Sequence, residues 1–321
     1  MPTILITNFY AQAPLSVVRS LVPDGFTLLH RDRSDELIHE KIGDADYLVV
    51  GGRTKLDAAV IDTAPRLKMV QRSGVGIENI DLAALSARGI PLFVNQGVNA
   101  RSVAEHTIMF ILASLRRLFE VNVQMHQSGW TRYEWAMRSN DLYGKTVGLV
   151  GLGSVGKHVS RMLASFGVNV IYTDLVRLTQ SQEAELDVRY AELSELLCAA
   201  DIVSLHCPLT DTTRGIVGRE QLDLMKDSGI IINTSRGGLI DQDALVDSIN
   251  DGRIRGAALD VFEQEPLPDN SPLRSMPSVI LSPHIAGVSL ETFQSIIGGA
   301  FSNIMHYHRG ELDKVTGSRV G

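Results

Sequence analysis

The sequence predicts an α/β protein with two doubly wound parallel-sheet domains, and three observations carry that prediction. Short β-rich apolar runs alternate with helical patterns in two successive series, a long apolar helical stretch separates the series, and 321 residues exceed what one core usually fills. The first series places strands at about 3–7, 26–30, 46–50, 67–71 and 91–95, with helical stretches at 57–64 and 80–87. Parallel pairing follows, because a helix between two strands returns the chain to the end it started from. The second series begins after residue 144, with apolar runs at 147–150, 169–172, 202–206, 230–233, 257–261 and 279–281. Between the series, 102 to about 127 is too long for a strand, and Val103, Phe110, Ile111, Ala113 and Leu118 spread around helical turns. One long inter-domain helix is expected there, opened by a capping box of Ser102 and Glu105. A last helix at 290–307 is expected to return to the first domain, so the expected division is 1–100 completed by 289–321, and 101–288.

Composition excludes several classes of function. The chain is 44% hydrophobic and 21% charged, and 30 Lys+Arg against 37 Asp+Glu leave a net charge of −7. That balance, with no basic run beyond pairs such as Arg116 and Arg117, disfavours a nucleic-acid surface. Cys198 and Cys207 supply neither a disulfide framework nor a zinc set, so no metal is expected and a reducing compartment is. The first residues lack a basic region followed by an apolar one, and no stretch approaches the roughly 18 apolar residues of a membrane span. A cytoplasmic protein with a small-molecule ligand is expected.

The run 147–150 leads into Gly151-Leu152-Gly153-Ser154-Val155-Gly156, and Val155, Val159, Met162, Leu163 and Phe166 then repeat at helical spacing up to Gly167. In a strand–turn–helix context, Gly151 allows the tight turn, Gly153 lets backbone approach a pyrophosphate, and Gly156 lets helix pack on strand. The glycine pattern alone also describes any tight strand-to-helix turn. The carboxylate of Asp174, closing the next strand about 20 residues on, points to the ribose hydroxyls of NAD and would repel a 2′-phosphate, which makes this a Rossmann dinucleotide-binding domain. Nearby Arg177 has two readings, a cation for that phosphate or a solvated surface residue. Hydrolase motifs fail: Gly144-Lys145-Thr146 has Ser139 where a P-loop needs glycine, His39-Glu40 has Gly43 where a zinc-protease helix needs histidine, and there is no Gly-x-Ser-x-Gly.

Doubly wound folds bind ligands at the carboxyl ends of their strands, and three chemically useful residues stand there. Arg236 follows the run at 230–233, Glu265 the run at 257–261, and His284 the run at 279–281. Singly, each is explained as a solvated or structural side chain. Together they supply what 2-oxo acid reduction needs: a fork for a carboxylate, a proton donor, and a group that tunes the donor.

With these motifs in this order, from Gln71-Arg72-Ser73-Gly74-Val75-Gly76-Ile77-Glu78-Asn79-Ile80-Asp81 to Pro283-His284-Ile285-Ala286-Gly287, the chain resembles the D-isomer-specific 2-hydroxyacid dehydrogenases over nearly its whole length. The resemblance implies that the first domain is a flavodoxin-like substrate domain. It also implies that Arg236 binds substrate carboxylate and carbonyl, His284 is the acid/base, and Glu265 hydrogen-bonds His284. Asp260 would contact the nicotinamide carboxamide, Val75 and Gly76 would offer backbone N–H groups to the substrate carboxylate, and Ser154, Val155, Cys207 and Thr234 would line the NAD. A homodimer is implied too, and the stretch from Gly129 to Trp135 reads either as part of its contact or as a packed surface loop.

Within the family, relatives that oxidise formate carry Gln where this chain has Glu265. Phosphoglycerate dehydrogenases share the Arg72 segment, but Gly51 stands where they usually place a phosphate-binding Arg, although Arg53 is near, and no length remains for their regulatory domain. The expectation is hydride transfer between NAD(H) and C2 of a small acid of the glyoxylate or hydroxypyruvate kind, with phosphohydroxypyruvate open. Corepressors of the C-terminal-binding-protein kind, NAD-sensing scaffolds with the same three residues, and dehydrogenation of a donor such as phosphite remain further alternatives.

Overall fold

The computed structural model describes residues 1–34, 37–52, 54–74, 76–127 and 129–320. The chain divides into two compact units, residues 1–99 with 288–321, and residues 100–287.

In the first unit, β1 (Thr3–Phe9), β2 (Thr27–Arg31), β3 (Tyr47–Val50), β4 (Met69–Arg72) and β5 (Leu92–Val94) pair in parallel in the order β5-β4-β3-β1-β2. This is the flavodoxin-like order, with its switch point between β1 and β3. The strands read as continuous apolar runs because both faces are covered. Leu5, Leu48, Val50, Val70 and Leu92 pack on one side with Ile61 and Leu85, and Ile4, Ile6, Val49, Met69 and Phe93 on the other with Ile297, Ala300, Phe301 and Ile304. The latter four come from the helix Leu290–His308, whose first turn is capped by Ser289 accepting from the Thr292 N–H at 3.1 Å. The short helices Ala58–Asp62 and Leu82–Ala87 begin at Asp57 and Asp81, each accepting a first-turn N–H. A sixth strand, Ser318–Val320, lies antiparallel to β5; three residues are too few to show a period.

The second unit has β6 (Thr146–Val150), β7 (Asn169–Thr173), β8 (Val188–Tyr190), β9 (Ile202–Leu205), β10 (Ile230–Asn233), β11 (Gly256–Leu259) and β12 (Val279–Leu281). All pair in parallel, in the order β12-β11-β10-β9-β6-β7-β8, so the switch point lies between β6 and β9. Alternate residues again feed two cores, Val150, Ile171, Val203, Leu205 and Ile231 on one face and Val147, Leu149, Tyr172, Ile202 and Ile232 on the other. Helix Ala100–Arg116 packs on the second face through Ala104, Phe110, Ile111 and Leu115.

Two expectations are corrected here. The single long helix is two, Ala100–Arg116 and Leu118–His126, because Arg117 takes a left-handed φ of 50°, its side chain bonded to Glu120 at 2.7 Å and to the Arg138 carbonyl at 3.2 Å. Nor do Ser102 and Glu105 form a capping box. The helix has already begun at Ala100, Ser102 donates to the Ala286 carbonyl at 3.2 Å, and Glu105 pairs with Arg101 at 3.0 Å. Among the described residues no helix is long and apolar enough to cross a membrane.

Candidate active site

The parallel sheet of the second unit aligns the candidate side chains along one edge. Following the strand order, that edge carries His284 after β12, Asp260 and Glu265 after β11, Arg236 after β10, Cys207 after β9, Gly151 after β6 and Asp174 after β7. From β12 to β7 there are five strand spacings of about 4.8 Å, roughly 24 Å, which suits an extended ligand laid across the switch point.

The glycine turn fits a pyrophosphate on the chain's own geometry. Gly151 has φ +97°, and a Cβ there would lie 2.6 Å from the Cys207 backbone nitrogen, so the turn presses against the loop after β9. A Cβ at Gly156 would lie 2.4 Å from the Gly151 carbonyl, whereas one at Gly153 would meet nothing within 4 Å. That open space faces the start of helix Ser154–Leu163, whose first-turn N–H groups have no side-chain cap. Ser154 is exposed there, and Val155 is half-buried against the core.

Asp174 accepts the Leu152 N–H at 2.7 Å, placing its carboxylate beside the turn. Arg177 is drawn the other way: it donates to Glu183 at 3.0 Å and its guanidinium lies 4.9 Å from the centre of the Tyr190 ring. Cys207 is half-buried, and burial pushes its thiol up to about 11, so it lines the turn as a neutral group. Thr234 is buried with its hydroxyl 3.0 Å from that of Thr107, turned to the helix Ala100–Arg116.

At the other end of the edge, His284 Nδ1 stands 2.7 Å from Glu265 Oε2, while Glu265 Oε1 accepts the Phe262 N–H at 3.2 Å. Glu265 is thereby oriented by its own loop, and its bond to Nδ1 turns His284 Nε2 outward. The His284 side chain is 45% exposed, open to an incoming molecule. Its backbone φ of +58° is unusual for a residue with a side chain. Arg236, half-buried, is held by Nη1 on the Ser235 carbonyl at 2.7 Å and by its own carbonyl accepting from Asn233 Nδ2 at 2.9 Å.

Asp260, expected beside the nicotinamide carboxamide, also serves the protein's own backbone. It is 0% exposed, and its carboxylate accepts the Ser282 hydroxyl, the Ile285 N–H at 2.8 Å and the Ala286 N–H at 2.7 Å. In this conformation it holds the loop that carries His284. Sequence reasoning missed this clamp, and missed His106, whose Nε2 lies 3.1 Å from Ser282 Oγ. No local signal marks a bond between positions 176 residues apart. Gly76 belongs to the first unit, and Val75 and Arg53 lie outside the described residues.

Comparison with known proteins agrees with this geometry. Residues 108–286 match the family described as D-isomer specific 2-hydroxyacid dehydrogenase, NAD binding domain. The chain is 38% identical to a glyoxylate reductase of Korarchaeum cryptofilum over 87% of its own length and 84% of that protein's. It is 42% identical to a D-3-phosphoglycerate dehydrogenase of Methanocaldococcus jannaschii over 87% of its length, but spans only 52% of that protein. The fold superposes on an NAD-dependent formate dehydrogenase of Staphylococcus aureus in complex with NAD, with a TM-score of 0.84 at 26% identity, covering 97% of this chain and 96% of that one. The chain therefore belongs to the D-isomer-specific 2-hydroxyacid dehydrogenase family and is an NAD-dependent oxidoreductase of 2-hydroxyacids.

Proposed function

We propose that the chain reduces a short, unphosphorylated 2-oxo acid of the glyoxylate or hydroxypyruvate kind, with His284 as proton donor, Glu265 as its orienting carboxylate and Arg236 as the anchor for the acid. The observation that carries this reading is the 2.7 Å bond between His284 Nδ1 and Glu265 Oε2 on the strand-end edge that also bears the glycine turn. Bound along that edge, the nicotinamide supplies the hydride that adds to C2. His284 commits its Nδ1–H to Glu265 and delivers the proton on Nε2 to the carbonyl oxygen. The planar fork of Arg236 pairs with the carboxylate and stabilises the negative charge that develops on the oxygen. In the oxidative direction Nε2 accepts the proton instead.

Two features of the first unit favour an unphosphorylated acid. Position 51 carries no side chain, and the space a Cβ would take is filled by Asn8, 1.6 Å from its Oδ1. Arg72 is buried, with Nη1 on the Gly51 carbonyl and Nη2 on that of Gly52 at 3.2 Å. Phosphohydroxypyruvate is the second reading, favoured by the 42% identity to the phosphoglycerate dehydrogenase. The proposal also includes residues 1–99 with 288–321 as substrate domain, backbone N–H groups of Val75 and Gly76 for the substrate carboxylate, a cytoplasmic location in keeping with two free cysteines, and a homodimer. Within the stretch 129–135 that would form the dimer contact, Trp130 and Tyr133 are exposed, and so are Leu118, Phe119, Val123 and Met137 to either side of it.

Initial rates of NADH and NADPH oxidation with glyoxylate, hydroxypyruvate, pyruvate and phosphohydroxypyruvate test the reading. Turnover is expected with NADH and one of the first two acids. A preference for phosphohydroxypyruvate establishes the second reading, and silence with every acid while NADH still binds replaces both with an NAD-sensing scaffold.

A further inference from the structure

His284 sits at the centre of a loop that one buried carboxylate grips from both sides. Its own N–H donates to the Asp260 carbonyl at 2.8 Å, the next two N–H groups donate to the Asp260 carboxylate at 2.8 and 2.7 Å, and Ser282, two residues before it, donates its hydroxyl to Oδ1. The left-handed backbone of His284 persists because these bonds over-determine it. The hydroxyl of Ser282 has one proton, and it donates that proton to Asp260 Oδ1. Toward any other neighbour Ser282 is therefore an acceptor, and the neighbour at 3.1 Å is Nε2 of His106. The bond runs from His106 N–H to Ser282 Oγ, which assigns the Nε2–H tautomer to His106 when the ring is neutral.

We propose that His106 is a positioning residue for the proton donor: by holding Ser282 Oγ in the rotamer that serves Asp260, it fixes the 282–286 loop and with it the place from which His284 delivers its proton. This rests on the reading of His284 as the donor. A serine hydroxyl with a single partner retains alternative rotamers, whereas one that donates to Asp260 and accepts from His106 has its χ1 fixed. His106 is itself well anchored. It stands on the helix Ala100–Arg116, half-buried, with its ring edge-on to buried Phe110 at 4.4 Å. Burial lowers its pKa, which keeps a second charge away from the loop at neutral pH. Four residues earlier on that helix, Ser102 donates to the Ala286 carbonyl at 3.2 Å, so the same helix face holds the loop at a second point.

The test compares His106→Leu with His106→Gln in the full chain, measuring NADH affinity by fluorescence, KM and kcat for the accepted 2-oxo acid, and the solvent isotope effect on kcat. Because a displacement of about 1 Å can cost up to about 100-fold, the Leu variant is expected to lose roughly tenfold or more in kcat, with a larger solvent isotope effect. Its NADH affinity and KM should stay within about twofold of the wild type, since the proposal gives His106 no part in holding either ligand. Gln places an N–H donor at similar reach and is expected to recover most of kcat. The proposal is overturned if the Leu variant keeps wild-type kcat, or if Gln performs no better than Leu while both melt normally. Should the Leu variant fail to fold, Ser282→Ala against Ser282→Thr asks the same question, and equal kcat in that pair overturns it. Absence of turnover in the wild-type chain with every 2-oxo acid defeats the parent reading instead, so the two failures are distinguishable.

Discussion

Adding one methyl group at either of two glycines in the dinucleotide turn separates folding from binding. At Gly151, with φ +97°, an alanine costs about 1–2 kcal/mol in backbone strain alone. Its Cβ would also lie 2.6 Å from the Cys207 nitrogen and 2.8 Å from the His206 carbonyl carbon. Both are backbone atoms at the end of β9, so relief requires moving the loop, a further overpacking cost of about 1–3 kcal/mol. For a unit of this size each kcal/mol lowers the Tm by about 2–4 °C, so Gly151→Ala is expected to melt roughly 5–20 °C below the wild type. Gly153 has an ordinary φ of −72° and nothing within 4 Å of its Cβ position. There the loss of a preferred N-cap residue, about 0.5–1 kcal/mol, is offset by the reduced entropy of the unfolded chain, about 0.4–1 kcal/mol. Gly153→Ala should therefore melt within a few degrees of the wild type, yet bind NADH at least about tenfold more weakly, or 1.4 kcal/mol, because the methyl occupies the room left for phosphate. Thermal melts by circular dichroism and NADH fluorescence titrations read the two effects. A Gly153→Ala variant that binds NADH normally, or a Gly151→Ala variant that melts like the wild type, would refute the reasoning.

Replacing Glu265 by Gln keeps an acceptor for the Phe262 N–H but removes the charge from the His284 pair, so single-turnover reduction should slow by about 100-fold with NADH affinity unchanged. Asp174→Asn retains an acceptor for the Leu152 N–H and removes the repulsion of a 2′-phosphate; the kcat/KM ratio of NADH to NADPH should fall by about tenfold, read from parallel cofactor titrations. The ring of His206, bonded to Ser204 at 2.9 Å, is desolvated, which pushes its pKa from 6.5 down to about 4. A group held neutral in the fold binds fewer protons than in the unfolded chain, so its contribution is intact above pH 6.5 and is lost as pH falls toward 4. Denaturant melts should show at most about 2 kcal/mol lost to this residue between pH 7.5 and pH 5, and His206→Gln should remove that slope.

What was legible in the sequence is what local chemistry encodes. Strands buried on both faces write themselves as apolar runs, and a tight turn into a helix demands glycines at fixed offsets, so β6, the turn and the helix behind it could be read together. Arg236, Glu265 and His284 stood out because polar residues directly after such runs fall on the sheet edge. The rest depended on tertiary context. The strand Val188–Tyr190 has three residues, too few for a pattern, and Arg117 breaks a helix whose apolar spacing continues through it because Glu120 and the Arg138 carbonyl hold its side chain. Ser102 reads locally as a cap, yet its hydroxyl serves a carbonyl 184 residues away. The burial of Asp260 and its three donors is likewise a through-space fact that spacing cannot express.

The central claim is that His284 supplies the proton while the glycine turn holds the dinucleotide independently of it. His284→Asn tests this most directly, because asparagine tolerates the φ of +58° and leaves the loop fold intact, where most other residues would add strain. With the 2-oxo acid that the wild type reduces, we expect turnover to fall by at least about 1,000-fold while the NADH dissociation constant stays within about twofold. A variant that binds NADH normally and still reduces the acid at the wild-type rate would contradict the account.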